Sequence, residues 1–101
     1  MKKKTNLLLL FCALFFAFNL HAQTSVDGKV TDVDSSDPIA GVNVVVKGTS
    51  TGTASDFDGN FSISVNQGDV LVFSYVGYST QEIIYNGQLS LSISMSEDAS
   101  Q

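Results

Sequence analysis

Cysteine, histidine and proline occur once each in the 101 residues, as Cys12, His21 and Pro38. Beyond residue 22 there is therefore neither a cysteine nor a histidine. That excludes Ser-His and Cys-His nucleophilic pairs and the usual zinc ligand sets from the rest of the chain. No disulfide framework can form, so a domain here must hold together by its core alone. Positive charge is equally scarce. Lys2, Lys3 and Lys4 stand at the N-terminus, which leaves Lys29 and Lys47 against ten acidic residues and a net charge of −8 for residues 23–101. A surface of that sign repels phosphates and anionic headgroups, and so argues against nucleic acid as a partner. Apolar residues at helical spacing are missing too, because glycine interrupts every candidate run after residue 23.

The N-terminal segment is different in kind. The three lysines precede a twelve-residue apolar run, Leu7 to Phe18, and the polar stretch Asn19-Leu20-His21-Ala22-Gln23 closes it. That order is the layout of a secretory signal peptide, and the run falls short of the roughly 18 residues a spanning helix needs. Cleavage is expected after the small Ala22, although Leu20 two positions earlier is bulky for that site. Cys12 follows Leu10 and Phe11 rather than the small residues of a lipoprotein site. The expected division is a signal peptide at 1–22, one domain at 23–98, and the start of a linker or a truncated end at 99–101. The exported chain would have no membrane span.

What remains is a series of short β-type runs between turn signals. Val26 to Val33 opens it, and the polar Asp34-Ser35-Ser36-Asp37-Pro38 makes a loop. In Val42 to Lys47, Val42, Val44 and Val46 face one way while Asn43, Val45 and Lys47 face the other. Residues 49–55 are small and polar and predict a weak strand at a sheet edge. Asp58-Gly59 supplies a turn, after which Phe61, Ile63 and Val65 alternate with serines. Val70 to Tyr75 is almost wholly apolar and is expected to be the most buried strand. Val76-Gly77 leads into Tyr78 to Tyr85, and Asn86-Gly87 is the strongest short hairpin signal in the chain. Leu89, Leu91, Ile93 and Met95 alternate in the last run. The prediction is an all-β, seven-stranded immunoglobulin/transthyretin-like sandwich. Its expected core is Val30, Val42, Val44, Val46, Phe61, Ile63, Val65, Leu71, Phe73, Tyr75, Ile83, Leu89, Leu91 and Ile93.

A search for chemistry yields no catalytic, cofactor-binding or metal-binding residue. Asp56-Phe57-Asp58-Gly59-Asn60 resembles the start of an EF-hand loop, but the twelfth position falls on Gln67 instead of a bidentate glutamate, and no helices flank it. The simpler reading is a turn in which Asp56 and Asp58 accept backbone hydrogen bonds and Gly59 makes the bend. Asn60-Phe61-Ser62 fits the short glycosylation pattern, which is too common to carry weight. Tyr75, Tyr78 and Tyr85 could form an aromatic strip, though alternation places them as core or rim residues of neighbouring strands. The open edge at 49–55 is the expected partner-binding feature, since an unpaired edge can accept another chain's strand.

Three blocks carry a resemblance: Pro38 to Thr49 (PIAGVNVVVKGT), then Gly52-Thr53, Asp56 and Asp58-Gly59-Asn60-Phe61, then Phe73 to Tyr78 (FSYVGY). Together they closely resemble the carboxypeptidase-regulatory-like domain at the N-terminus of SusC/RagA-type TonB-dependent outer-membrane receptors, over nearly all of residues 24–98. The resemblance implies a sandwich in the periplasm, ahead of a plug and a large barrel that import glycans or peptides. The implied partners are TonB-system or receptor plug and barrel proteins, with a surface lipoprotein for the full receptor. No cofactor is implied.

A bacterial barrel needs at least eight tilted strands of roughly 9–11 residues, so this chain cannot supply one beside the sandwich. It is expected to be a truncated receptor or a free-standing accessory domain, and its end at Gln101 favours the first. The competing reading is a free-standing exported sandwich that acts as a structural or adhesive protein- or glycan-binding module. An accessory of a secreted carboxypeptidase is a third, with any catalysis on another polypeptide.

Overall fold

The computed structural model describes residues 23–98, so the expected signal peptide and the segment from residue 99 lie outside the described residues. Seven strands follow in order: β1 (Thr24–Asp32), β2 (Asn43–Val46), β3 (Gly52–Ala54), β4 (Asn60–Val65), β5 (Val70–Ser74), β6 (Gln81–Ile84) and β7 (Ser90–Met95). They form two sheets, one ordered β4-β1-β7 and the other β3-β2-β5-β6. The fold is the all-β two-layer sandwich that the alternating runs predict.

Alternation explains the layering. β4 and β7 each expose and bury successive residues strictly in turn, which puts Phe61, Ile63 and Val65, and Leu91, Ile93 and Met95, on the inner face. Val44 and Val46 on β2 and Leu71 and Phe73 on β5 meet them from the other sheet. The rings of Phe61 and Phe73 close the contact between sheets edge to face, with centroids 5.4 Å apart. Among the described residues this cluster runs from Val26 to Met95 and draws on both sheets. Each large side chain removed from water contributes roughly 1.5–3 kcal/mol before chain entropy opposes it.

Pairing is antiparallel throughout except between β1 and β7, which run parallel with Val30 opposite Ile93. This corrects the hairpin expected at Asn86-Gly87. Gly87 does adopt a positive φ of 91°, but the connection carries the chain from β6 in one sheet to β7 in the other. A turn dipeptide reports a local reversal of the backbone and not the sheet that the next strand joins. Tyr85 lies at this crossing: it is buried at that end of the core and its hydroxyl donates to the Gln88 carbonyl at 3.1 Å.

Two expected core residues are on the surface. Tyr75 is 37% exposed and Leu89 is 95% exposed. Each sits one residue outside a strand, Tyr75 after the end of β5 and Leu89 before the start of β7, where the period-two pattern no longer governs direction. Ile83, on edge strand β6, is half-buried. The core gains Val26, Ile39, Tyr85 and Met95.

Candidate interaction surface

The registers place the ends of β1, β3, β5 and β7 and the starts of β2, β4 and β6 at one end of the sandwich. The loops there, 33–42, 55–59 and 75–80, are tied together by hydrogen bonds. Val30 donates its N–H to the Gly59 carbonyl at 2.8 Å, and Ile39 donates to the Val30 carbonyl at 3.1 Å. Ser79 donates to Ser96 at 2.9 Å, and Asp98 donates to Gly77 at 2.9 Å, which fastens the segment after β7 onto the same end.

Ser55 is the hub of this arrangement. Its buried hydroxyl donates to the Ile39 carbonyl at 2.7 Å and accepts the Val42 N–H at 2.9 Å. Its backbone closes the ring, as its N–H donates to Val42 at 3.0 Å and its carbonyl accepts from Gly41 at 2.9 Å. Sequence reasoning misses Ser55, because one serine in a run of small polar residues carries no distinguishing pattern.

The Asp56–Asn60 segment is a tight turn. Asp56 Oδ1 accepts the N–H groups of Asp58 and Asn60, both at 2.9 Å, and the Asp56 carbonyl accepts from Gly59 at 2.9 Å. Gly59 has φ of 78°, and a Cβ there would lie 2.5 Å from the Val30 carbonyl oxygen, so only glycine fits. Of the two aspartates expected to accept backbone hydrogen bonds, Asp56 does so, whereas Asp58 is exposed and contributes its N–H. Among the described residues no group of three or more His, Cys, Asp or Glu side chains converges as a metal site. Phe57, at the tip of the turn, is 93% exposed.

The three tyrosines do not form one strip. Tyr85 lies at the opposite end, buried, while the Tyr75 and Tyr78 rings pack at 6.0 Å beside the 33–42 loop. The Tyr78 hydroxyl donates to Asp32 Oδ2 at 2.7 Å, and Asp32 Oδ1 accepts the N–H groups of Asp34 at 2.8 Å and Ser35 at 3.1 Å. Those donors, the tyrosine first and then the Ser35 and Asp34 amides, hold the Asp32 carboxyl below its ordinary value of 3.8. The same hydrogen bond, followed by burial, pushes the Tyr78 phenol up from 10.0 to about 12.

β3 is an edge strand, as expected, but only three residues long. Val46 donates to the Thr51 carbonyl at 3.0 Å and Ser55 donates to Val42 at 3.0 Å, so Val42–Ser55, Val44–Thr53 and Val46–Thr51 are the hydrogen-bonded pairs. Thr53 therefore turns its backbone groups toward β2, while Gly52 and Ala54 present theirs to the open edge. Lys47 pairs with Glu82 at 2.9 Å on the outer face of the same sheet, an exposed ion pair of little energetic weight. No helix among the described residues is long and apolar enough to cross a membrane.

A family model described as the CarboxypepD_reg-like domain matches residues 26–101. TonB-dependent receptor SusC of Bacteroides thetaiotaomicron is 45% identical over 86 residues, which cover 84% of this chain and 8% of the receptor. TonB-dependent receptor P39 of Formosa agariphila is 47% identical over 78 residues, 76% of this chain and 7% of the receptor. The chain thus spans less than a tenth of either relative's length. Among solved structures, a chain from a type II cohesin–X-dockerin complex of Acetivibrio cellulolyticus, a C-terminal interface mutant, is similar with a TM-score of 0.56 at 27% identity, over 71% of this chain and 56% of that one.

Proposed function

Because the chain belongs to the CarboxypepD_reg-like domain family, we propose that it is the N-terminal accessory domain of a SusC-type TonB-dependent outer-membrane receptor. The observation that carries this reading is the 45% identity with receptor SusC across 84% of the chain. In this reading residues 1–22 direct export and are removed, and the sandwich stands in the periplasm ahead of a plug and barrel that take up glycans or peptides. Its partners are then the plug and barrel and the TonB system, and a surface lipoprotein serves the assembled receptor. The domain's part is non-catalytic. Residues 23–101 contain no histidine or cysteine, and among the described residues the one buried serine hydroxyl, on Ser55, is already bonded to Ile39 and Val42.

An antibody raised against residues 23–98 tests the assignment on fractionated cell envelope. The expected result is a single species of receptor size in the outer membrane. A soluble species no larger than the 101-residue chain would instead favour the free-standing module. That second reading draws on the likeness to a chain from the cohesin–X-dockerin complex.

A further inference from the structure

At the end of the sandwich built by the 33–42, 55–59 and 75–80 loops, Ala40, Gly41, Ser55, Asp56 and Phe57 line an open groove of about 380 Å³. Its wall is almost wholly apolar, because the Ser55 hydroxyl and the Asp56 Oδ1 are turned inward to backbone partners. Phe57 is one of the lining residues and is 93% exposed. A phenylalanine exposed to that degree gains nothing from the fold it belongs to, whereas capping by a partner would remove a large apolar surface from water. A second hollow shares Ala40 and continues past Tyr75, with the carboxylates of Asp37 and Glu97 in its lining. Asp58 follows Phe57 in the chain and is exposed. Neither lysine of the described segment lines either hollow: Lys29 stands on β1, and Lys47 is paired with Glu82.

We propose that this groove is a docking site for a basic segment of a protein partner, which seats one apolar or aromatic side chain against Phe57 and Ala40 while flanking lysines or arginines face Asp37, Asp58 and Glu97. The sign of the rim selects the occupant. A second copy of the chain would bring another strongly negative surface, and an anionic membrane would be repelled. A sugar needs converging polar groups, which the apolar wall does not offer. This inference does not rest on the receptor assignment and is tested without a receptor.

The chain is labelled with nitrogen-15 and titrated with a heptapeptide of alternating lysine and glycine with phenylalanine at its centre. Amide shifts are expected at residues 40–41 and 55–58, with weaker binding as sodium chloride rises from about 20 to about 200 mM, where screening shortens to under 10 Å. Phe57→Ser, at an exposed position, is expected to weaken binding about fivefold or more without changing the rest of the spectrum. Asp37→Asn combined with Asp58→Asn is expected to flatten the salt dependence. Any of these results would overturn the proposal: equal binding of the glutamate counterpart of the peptide, shifts confined to another face, insensitivity to Phe57→Ser, or self-association of the chain through the groove. Shifts at the same residues with maltoheptaose in place of the peptide would overturn it in favour of a glycan site.

Discussion

The phenol of Tyr78 reaches across the sandwich to Asp32, donating a 2.7 Å hydrogen bond that joins the end of β1 in one sheet to the loop before β6 in the other. Both groups titrate accordingly. The Asp32 carboxyl is held below 3.8, so its contribution to stability is present above that value and is lost as pH falls through the lower folded value. The Tyr78 phenol is raised, so its contribution is complete below 10.0 and is lost as pH rises through about 12. Tyr78→Phe is expected to lower the melting temperature by several degrees, with the gap to wild type widest between about pH 5 and about pH 9 and closing toward both extremes. Thermal melts across pH would contradict this if the gap were absent at neutrality or independent of pH.

Gly28 and Phe61 face each other across β1 and β4, and the phenylalanine ring occupies the space a side chain at Gly28 would need. A Cβ there would lie 2.3 Å from Phe61 Cζ and 2.9 Å from the Leu91 carbonyl oxygen. Phe61 cannot retreat freely, since its ring is buried against Phe73. Gly28→Ala is expected to cost about 1–3 kcal/mol in denaturant unfolding. Adding Phe61→Leu to Gly28→Ala is expected to cost less than the sum of the two single changes, with a coupling of about 0.5 kcal/mol or more. Strict additivity would show that the ring does not fill the glycine's space.

How far the sequence carries depends on the kind of signal. The serine-spaced runs Phe61–Val65 and Leu91–Met95 specify their buried faces because alternation and strand geometry share a period of two. Tyr75 and Leu89 mislead because each extends a good pattern one residue past the strand that gives it meaning. Sheet membership is harder to read. The Asn86-Gly87 signal is met by a bend with positive φ at Gly87, yet the parallel pairing of β7 with β1 is a tertiary choice that no local window encodes. The surface features are the least legible. Ser55 gains its role from groups at residues 39 and 42, and the turn signal at Asp56–Asn60 gives no sign that Phe57 within it is projected into water.

Ser55 gives a sharp test of how the loops are held. Ser55→Ala removes the acceptor of the Val42 N–H and the donor to the Ile39 carbonyl in a position closed to water. Leaving such groups without partners is expected to cost about 1–3 kcal/mol. The same change at Ser64, exposed on β4, is expected to stay within about 0.5 kcal/mol. Equal effects at the two positions in chemical denaturation would mean that the Ser55 hydroxyl does not tie these loops together.

The edge at β3 separates two neighbouring substitutions by backbone direction alone. Thr53 lies in a hydrogen-bonded pair with Val44, so its N–H is spent on the ladder, whereas the Ala54 N–H faces the open side. Proline removes the donor at either position, but only at 53 does the sheet lose a bond, because proline within a sheet is tolerated where the missing N–H faces outward. Thr53→Pro is therefore expected to destabilise by about 1–3 kcal/mol, the cost of leaving a ladder carbonyl without its donor, while Ala54→Pro keeps a near-native melting temperature. Ala54→Pro then becomes the clean probe of the edge itself. A partner that adds a strand along β3 loses a hydrogen bond to it and weakens, whereas a partner seated at Phe57 binds that variant unchanged. If Thr53→Pro folded as well as Ala54→Pro, the register between β2 and β3 would be shifted by one residue from Val44 opposite Thr53, and the outward-facing groups would belong to Thr53 instead.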